Sequence, residues 1–391
     1  MPSDTGDPVK RLRTLLGLAA AAVAACAQAL PAPEIAAREY FVIDMNADQV
    51  LAERGADTSV DPAAFTKLMT AYPVFVALRE HKLALDQKLP VSQRALAERK
   101  GGASLMFVDT TMTPTVDELL QGLIVDSGND AAVALAEGVG GSVDAYVAMM
   151  NRQAQAWGLK NTTFRNVTGL TEVGHRSTPR DLAAIAQHII RDFPEYYHYY
   201  AQRDYAYNNI RQDNRNLLLK RDPSVDGMKT GYTEAAGWCL LGSAQRDFPN
   251  GKRRLLALVM GADSVQGRAN EVQKLLNWGF TAFDDVRLVE AGKPVGAPVQ
   301  VWKGTQAQVG LGSLEAIYVA VPKGEGDRLK TVVERTDPLV APLTKGQRVG
   351  SLKVTTTSGT AIATIPLTVL EDVPQAGLFG RAWDAIRLWI K

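Results

Sequence analysis

The residue pattern predicts an α+β protein with two domains. The chain has 391 residues, of which 46% are hydrophobic, and that is enough to form the cores of two ordinary domains. The first two thirds of the chain combine helical with strand-like periodicity, and strand-like segments lie near both ends of that region. Beyond about Asp284 the helical periodicity disappears and short β-branched segments alternate with Gly, Pro and Asp turns. We therefore expect a mixed first domain, whose sheet draws strands from both ends of the domain, and then a small all-β domain.

Elements of the first domain are predicted from periodicity and from capping residues. Thr115 and Glu118 form the sequence of a capping box, which marks a helix start. Thr178 followed by Pro179 marks another, because proline suits the first helical position. Gly158 is placed to end a helix. The predicted elements are hairpin strands 40–45 and 49–52, helices 63–80, 115–126, 142–157, 178–190 and 264–278, and hairpin strands 238–244 and 254–260.

The C-terminal third is predicted to contain strands at 299–302, 316–321, 331–335, 352–357 and 361–369. The sequence shows no internal repeat and no low-complexity linker. We expect these boundaries along the chain: a signal peptide at 1–29, a first domain at 30–283, an all-β domain at 284–375 and an amphipathic helix at 376–391.

The N-terminus has the pattern of a secretory signal peptide. An apolar run, residues 14–25, is too short to span a bilayer comfortably, and Ala-Gln-Ala at 27–29 offers a cleavage site. A buried alanine-rich helix and a lipoprotein site at Cys26 are the alternatives. The basic residues before the apolar run are Lys10, Arg11 and Arg13. We therefore expect export and removal of residues 1–29.

Charge and cysteine usage exclude several classes of function. The net charge of +1 gives no electrostatic basis for binding nucleic acid. Once Cys26 is removed with the signal peptide, Cys239 remains alone and makes no internal disulfide; its apolar neighbours favour a small buried side chain. The four histidines show no metal-ligand spacing, and we expect neither a metal nor another cofactor.

The last segment is predicted to form an amphipathic helix that lies in a membrane interface. Tryptophans on an apolar face opposite a basic polar face are typical of such helices. The alternative is a terminal helix packed on the protein's own surface. The apolar arc comprises Leu378, Phe379, Ala382, Trp383, Ala385, Ile386, Trp389 and Ile390, with Leu388 at its border, and the polar arc comprises Arg381, Asp384, Arg387 and Lys391.

Three short motifs carry the chemistry. A Ser-x-x-Lys pair places a hydroxyl and an amine one helical turn apart, which lets the amine take the proton of an attacking serine. This chain has Lys67 at that spacing but Ala64 in place of the serine. Ser127-Gly128-Asn129 follows a predicted helix, and Lys229-Thr230-Gly231 is predicted to begin a strand that a hairpin extends. Each motif alone is weak evidence, but their order and setting together indicate one active site.

In this order, the motifs match those of the penicillin-recognising serine enzymes. The chain resembles the serine-type D-alanyl-D-alanine carboxypeptidases of the penicillin-binding-protein 5 type, peptidase family S11. The resemblance extends over essentially the whole mature chain. It implies a penicillin-binding/β-lactamase-like transpeptidase domain, which is an antiparallel sheet with helices on both faces, followed by a small all-β domain and a membrane anchor. Further segments that carry it are 61–63, 104–107, 126–130, 210–212, 214–216, 225–227 and 278–280.

The resemblance also implies roles for individual residues. Position 64 is that of the nucleophile, and Lys67 is the general base, whose pKa we expect burial or the neighbouring charge of Lys229 to lower. Ser127 relays a proton to the leaving amine and helps to position the deacylating water, and Asn129 holds the substrate amide. The resemblance implies that Lys229 and Thr230 bind the terminal carboxylate, with Arg268 as a further candidate. It implies that Gly231 leaves room for the substrate along the strand edge, and that backbone N–H groups of positions 64 and about 232 form the oxyanion hole. Arg215 either lies near the site, as in the family, or is a solvated arginine.

Two departures from the family pattern bear on activity. Tyr232 follows Lys-Thr-Gly, where the family often has histidine. Ala64 is the serious departure, because a methyl group cannot form an acyl-enzyme. Loss of the nucleophile of a serine hydrolase on another fold costs about 10⁶ in turnover. Ser59 and Thr66 cannot replace it, since neither lies one turn before Lys67 on the same helix face.

The sequence therefore supports three hypotheses. The first is a periplasmic D,D-carboxypeptidase, attached to the outer face of the inner membrane through 378–391, whose serine has been replaced by design. Its partners are peptidoglycan stem peptides ending in D-Ala-D-Ala and β-lactams. The second is a natural non-catalytic protein that binds peptidoglycan through the same groove. The third, a β-lactamase, normally lacks the all-β domain and the anchor, and the region from Asn166 to Asp181 contains no Glu-x-x-x-Asn pattern for a deacylating base.

Overall fold

The computed structural model describes residues 31–100 and 102–390. The predicted signal peptide at 1–29, with Lys10, Arg11, Arg13 and Cys26, lies outside those residues, and so does Lys391. In chain order, the described strands and helices are β1 Glu39–Asp44, β2 Gln49–Arg54, α1 Thr66–Arg79, α2 Gln93–Leu96, α3 Val116–Ile124, α4 Asn129–Gly140, α5 Val143–Ala156, α6 Pro179–Asp192, β3 Asp204–Tyr207, β4 Ile210–Asp213, α7 Leu218–Arg221, β5 Val225–Thr233, β6 Gly237–Phe248, β7 Gly251–Ala262, α8 Val265–Ala282, β8 Phe283–Val289, β9 Val299–Trp302, β10 Gln308–Val309, β11 Leu311–Gly312, β12 Ile317–Pro322, β13 Lys330–Arg335, β14 Leu339–Val340, β15 Arg348–Thr355, β16 Ala361–Val369 and α9 Leu378–Ile390.

A five-stranded antiparallel sheet forms the centre of the first domain, in the order β2-β1-β7-β6-β5. Strand β7 is apolar on both faces. Leu256, Leu258 and Met260 pack into the core shared with α1 and α3–α6, whereas the alternate residues pack against α8. Strands buried on both sides read as continuous apolar runs for this reason. The α+β prediction, with helices on both faces of the sheet, is confirmed.

Local capping signals account for the helix boundaries. Thr115 accepts a hydrogen bond from the Glu118 backbone while the Glu118 carboxylate accepts one from Thr115, so the capping box forms at α3. Ser142 and Thr178 cap α5 and α6 in the same way as N-cap residues. Each satisfies a backbone N–H that has no partner within its own helix.

The short elements α2, α7, β3 and β4 and the strand β8 were not predicted, and two elements that carry the site also differ from the sequence prediction. Helix α4 was not predicted, because small residues bury it on most sides and leave no amphipathic stripe. Lys229 was expected to begin its strand. It lies instead in the middle of β5, which starts four residues earlier at Val225. A register shift between Val225 and Gly227 interrupts the alternation that would have revealed this start.

The C-terminal third is all-β, as predicted. One sheet has the order β11-β16-β15-β13, a second the order β10-β9-β14, and β12 pairs with β8. The five predicted segments correspond to β9, β12, β13, β15 and β16. The two-residue strands β10, β11 and β14 were missed, because two residues carry no periodicity.

Helix α9 contacts the all-β domain through its polar side. Asp384 accepts a hydrogen bond from the backbone N–H of Lys303 at 2.7 Å, and the Arg387 guanidinium lies 5.8 Å from the ring centre of Trp302. Leu378, Trp383 and Trp389 are 75%, 63% and 89% exposed. Among the described residues, no helix has the length and apolar character needed to cross a bilayer.

Candidate active site

Three structural elements bring the sequence motifs together. The 3₁₀ turn Ala63–Phe65 and the first turn of α1 carry positions 64 and 67, the loop before α4 carries Ser127, and β5 carries Lys229. The turn and the strand are in close contact. A Cβ atom added to Gly231 would lie 3.2 Å from Cβ of Ala63 and 3.4 Å from the backbone nitrogen of Ala64. Gly231 therefore lets β5 approach the turn that carries position 64.

The turn at Ala63 is fixed from two sides. Its backbone is left-handed, with φ of 47°, and its N–H donates to the Asp61 carboxylate at 2.8 Å. On the other side, Gly169 has φ of 86°, and a Cβ there would lie 1.8 Å from the carbonyl oxygen of Ala63. Only glycine fits this approach. The turn that carries the half-buried Ala64 is thereby held in place.

Lys67 is buried and donates two hydrogen bonds to neutral groups. Its Nζ donates to Oδ1 of Asn129 and to the carbonyl oxygen of Thr168, each at 2.7 Å. Burial and, after it, the positive charge of Arg215 lower the pKa of Lys67 to about 7, against the opposing charges of Glu98 and Asp130. The expectation of a lowered pKa agrees with this direction. The neighbouring charge that contributes is that of Arg215 rather than that of Lys229.

Lys229 forms the opposite wall of the site. Its Nζ donates to Oγ of Ser127 at 2.8 Å and to the carbonyl oxygen of Thr230 at 3.2 Å. Burial, followed by the charges of Lys67 and two arginines, lowers the pKa of Lys229 well below its usual range. Among the residues that the structure describes, no carboxylate forms an ion pair with Lys229. A bound anion would favour the charged form of Lys229, because a neighbouring opposite charge raises the pKa of an amine.

Arg268 and Arg215 lie at the edges of this arrangement. Arg268 is buried beside β5, where it donates to the carbonyl oxygen of Gly231 at 3.1 Å and lies 5.2 Å from the ring centre of Trp238. Arg215 is exposed as a whole residue, yet its guanidinium donates to the carbonyl oxygen of Asp126, next to Ser127. Its guanidinium therefore lies beside the loop that carries Ser127, while the residue as a whole remains exposed.

Tyr232 and Cys239 occupy different environments on the same hairpin. The Tyr232 ring is half exposed, and its centre lies 4.2 Å from that of Trp238. Cys239 is completely buried, and burial raises the pKa of its thiol to about 12. The expected small buried cysteine is confirmed, since such a thiol is inert as a nucleophile.

Two contributors were missed at the sequence level. The Asp130 carboxylate accepts hydrogen bonds from the backbone N–H groups of Met106, Phe107 and Val108, which ties that loop to the start of α4. The sequence signal that could have identified Asp130 is that it lies in the segment 126–130, one of those that carry the family resemblance. Thr168 acts through its backbone carbonyl, so no side-chain pattern could have revealed it.

The arrangement has the parts needed for serine-type acyl transfer except the oxygen. A buried amine with a pKa near neutrality can accept a proton, and a hydroxyl bonded to a second amine can pass one on. The second amine also offers charge to an anionic group. Position 64 presents only a methyl group to these residues.

Comparisons with known proteins agree with this chemistry. The family model described as D-alanyl-D-alanine carboxypeptidase matches residues 26–264, and the model of the penicillin-binding protein 5 C-terminal domain matches residues 283–375. The chain is 40% identical over 361 residues to D-alanyl-D-alanine carboxypeptidase DacA of Haemophilus influenzae, covering 92% of this chain and 91% of that protein. It is 40% identical over 371 residues to DacC of Escherichia coli, covering 93% and 91%.

A solved structure shows the same fold. Penicillin-binding protein 5 from Haemophilus influenzae superposes with a TM-score of 0.84 at 39% identity, covering 88% of this chain and all of that one. The match includes both the mixed domain and the all-β domain, because neither domain alone makes up 88% of this chain. The chain belongs to the S11 family of serine-type D-alanyl-D-alanine carboxypeptidases, the penicillin-binding-protein 5 type.

Proposed function

We propose that this chain binds peptidoglycan stem peptides ending in D-Ala-D-Ala, and β-lactams, without forming an acyl-enzyme. The observation that carries the proposal is the pair of intact hydrogen bonds, Lys67–Asn129 and Lys229–Ser127, on the elements that meet at the turn with Ala64. The relatives are named D-alanyl-D-alanine carboxypeptidases, which supports the substrate class. The missing hydroxyl supports the absence of turnover.

The proposed binding mode places the terminal carboxylate of the peptide at Lys229 and Thr230. Lys229 is buried, and its two hydrogen bonds go to neutral oxygens, so a carboxylate would relieve the repulsion from Lys67. The peptide would lie along β5 past Gly231, where no side chain intrudes. Arg268 and Arg215 add positive charge from the edges of the site and are the further binding candidates.

With serine at position 64, the same residues would perform acyl transfer. Neutral Lys67 takes the hydroxyl proton as the oxygen attacks the carbonyl carbon between the two D-alanines, and N–H groups of residues 64 and 232 stabilise the oxyanion. Ser127 then passes a proton to the leaving amine of D-alanine, with Lys229 as its hydrogen-bond donor. Asn129 holds both Lys67 and the substrate amide. Water completes the reaction by hydrolysing the ester.

Intact-mass spectrometry after exposure to benzylpenicillin tests this proposal. The chain should show no mass increase, and Ala64→Ser should gain the mass of one penicillin. Ala64→Ser with Lys67→Met is the control, because it restores the oxygen without its base. A covalent adduct on the chain with Ala64, or none on Ala64→Ser, would overturn the proposal.

The origin of Ala64 separates two versions of this function. A serine codon in the source gene makes the chain a D,D-carboxypeptidase whose nucleophile was replaced. An alanine codon makes it a natural peptidoglycan-binding protein that uses the carboxypeptidase groove without turnover. Rapid hydrolysis of penicillin by Ala64→Ser would instead favour a β-lactamase, against the evidence of the all-β domain matched at residues 283–375.

We also propose a periplasmic location at the outer face of the inner membrane. The proposed mature chain follows cleavage after residue 29, with domains at 30–283 and 284–375 and the anchor at 376–391. Exposed Trp383 and Trp389 support the anchor, because the polar side of α9 contacts the all-β domain and leaves the tryptophans free for lipid.

Flotation with anionic vesicles tests the anchor. The full chain should float with vesicles, and a chain truncated after Pro374 should remain in the dense fraction. The double substitution Trp383→Ala and Trp389→Ala should reduce binding while it preserves the length and the charge. If the full chain does not float, the anchor is disproved, whatever the result at the active site.

A further inference from the structure

Strand β13 is an unprotected edge of the all-β domain. It pairs with β15 along one side, from Lys330 opposite Thr355 to Arg335 opposite Gly350, without a register shift. It is the last strand of its sheet, and all six of its residues are exposed. Within residues 31–100 and 102–390, no other strand pairs with its outer side. The outer side of β13 is therefore a regular ladder open to a further strand.

Several protections of a sheet edge are missing from β13. Natural edge strands avoid pairing with other chains by means of proline, bulges, short length, a covering loop or charged side chains. The charged side chains of β13 are Lys330, Glu334 and Arg335, which are of both signs and can therefore pair with those of a second copy. The sequence Lys-Thr-Val-Val-Glu-Arg contains no proline and forms no bulge. Val332 and Val333, at its centre, are 56% and 39% exposed. A second strand would cover this apolar centre.

We propose that β13 pairs antiparallel with β13 of a second copy of this chain, with Val332 at the two-fold axis. An antiparallel pair of identical strands has its axis perpendicular to the sheet, so residues that face each other lie on the same face. Residues on one face of a strand differ in number by two, four and so on, so the numbers of two facing residues add up to an even number. One residue of the strand must therefore face its own copy across the two-fold axis.

Charge selects Val332 among the possible axes. An axis at Val332 places Lys330 opposite Glu334 of the second copy, and the symmetry repeats this pair, which gives two opposite-charge contacts. An axis at Val333 would place Val332 opposite Glu334 and leave Lys330 beyond the paired region. The pairing at Val332 also brings the two Val332 side chains directly together.

Glu334 is already placed for this contact. Its carboxylate lies 2.8 Å from Nζ of Lys353 on the neighbouring strand, and both side chains are half exposed. Lys330 of the second copy would approach the same carboxylate from the other side. The result is one row of alternating charge on each side of the axis. Because five residue pairs bury little area, we expect association to be weak and concentration-dependent.

Disulfide trapping tests the register directly. Residues opposite each other on antiparallel strands have Cβ atoms about 5 Å apart, whereas diagonal neighbours are about 7–8 Å apart. In a Cys26→Ser background, Val332→Cys should therefore form a disulfide-linked dimer under mild oxidation. Val333→Cys is the matched control, because it faces Thr331 of the second copy and lies diagonal to its own equivalent. Cys239 does not interfere, since it is completely buried.

The expected result is a dimer band on non-reducing gels for Val332→Cys and little for Val333→Cys. Equal cross-linking of the two variants would indicate random collision and would overturn the proposal, as would no cross-linking of either. Sedimentation velocity of the unmodified chain gives the second measurement. Lys330→Glu should raise the dimer dissociation constant roughly tenfold, and adding Glu334→Lys should restore it. A chain that stays monomeric at every concentration contradicts the inference.

Discussion

Lys67 and Asn129 join the first two motifs through a direct hydrogen bond of 2.7 Å between Nζ and Oδ1. The bond connects the first turn of α1 to the first residue of α4, two elements 62 residues apart in the chain. The Thr168 carbonyl accepts a second hydrogen bond from the same amine, also at 2.7 Å. A proton acceptor at this position is therefore preorganised whether or not position 64 carries a nucleophile.

Acylation of Ala64→Ser is expected to accelerate as the pH rises through about 7. The reason is that burial lowers the pKa of Lys67 to about 7, and only the neutral amine can accept the serine proton. Stopped-flow measurement with a fluorescent penicillin between pH 5.5 and 9 gives the profile. Lys67→Arg in the same background should not acylate in this range, because arginine stays protonated. A flat profile would show that Lys67 is not the base.

The same lysine should make stability depend on pH. Its pKa is about 10.4 when unfolded and about 7 when folded, so the unfolded chain binds more protons between these values. Stability therefore increases with pH from about 7 upward. The Tm of the unmodified chain minus the Tm of the Lys67→Met variant, both measured by calorimetry, should increase between pH 7 and pH 9.5. A difference that is constant or decreases would contradict the lowered pKa.

Structural features that depend on residues close together in the sequence could be predicted, whereas features that depend on tertiary contacts could not. The Thr115–Glu118 capping box and the Pro179 helix start depend on residues three or fewer positions apart, so the sequence alone specified them. Helix α4 was missed because it is buried on most sides. The source of charge near Lys67 was also misjudged, because Arg215 lies in the loop after β4, 148 residues away along the chain, and no local pattern links that loop to α1.

Gly169→Ala is expected to destabilise the turn that carries position 64. A Cβ at 1.8 Å from the Ala63 carbonyl oxygen must displace that turn, in addition to the cost of a left-handed alanine. We expect a loss of about 3 kcal/mol, combining about 1–2 kcal/mol for the backbone with about 1–3 kcal/mol for overpacking. Thermal unfolding measures it.

Gly158→Ala is the matched control for this substitution. Gly158 also has a left-handed backbone, with φ of 72°, but a Cβ there meets nothing within 4 Å. It should show only the backbone cost of about 1–2 kcal/mol. If the two substitutions lower the free energy of unfolding equally, the turn at Ala63 moves away from the added Cβ at no measurable cost, which would contradict the prediction. In the Ala64→Ser background, Gly169→Ala alone should also slow acylation.

Lys229→Met should weaken binding of a peptide that ends in D-Ala-D-Ala to the chain with Ala64. Removing one partner of a buried charge pair costs about 2–5 kcal/mol, so the dissociation constant should rise at least roughly 30-fold. Calorimetric titration with two forms of the peptide isolates the carboxylate. The free acid should lose affinity with Lys229→Met, whereas the C-terminal amide, already weak, should change little.

Lys274→Met supplies the control for a general effect of lost charge. Lys274 is a surface lysine paired with Glu271 at 2.8 Å, and its substitution should leave both titrations unchanged. If Lys229→Met weakens the acid and the amide equally, Lys229 supports the shape of the groove and does not bind the carboxylate. If it weakens neither, the peptide binds elsewhere. The predicted selectivity for the acid requires Lys229 to keep its charge in the complex, which an added anion promotes by raising the lowered pKa.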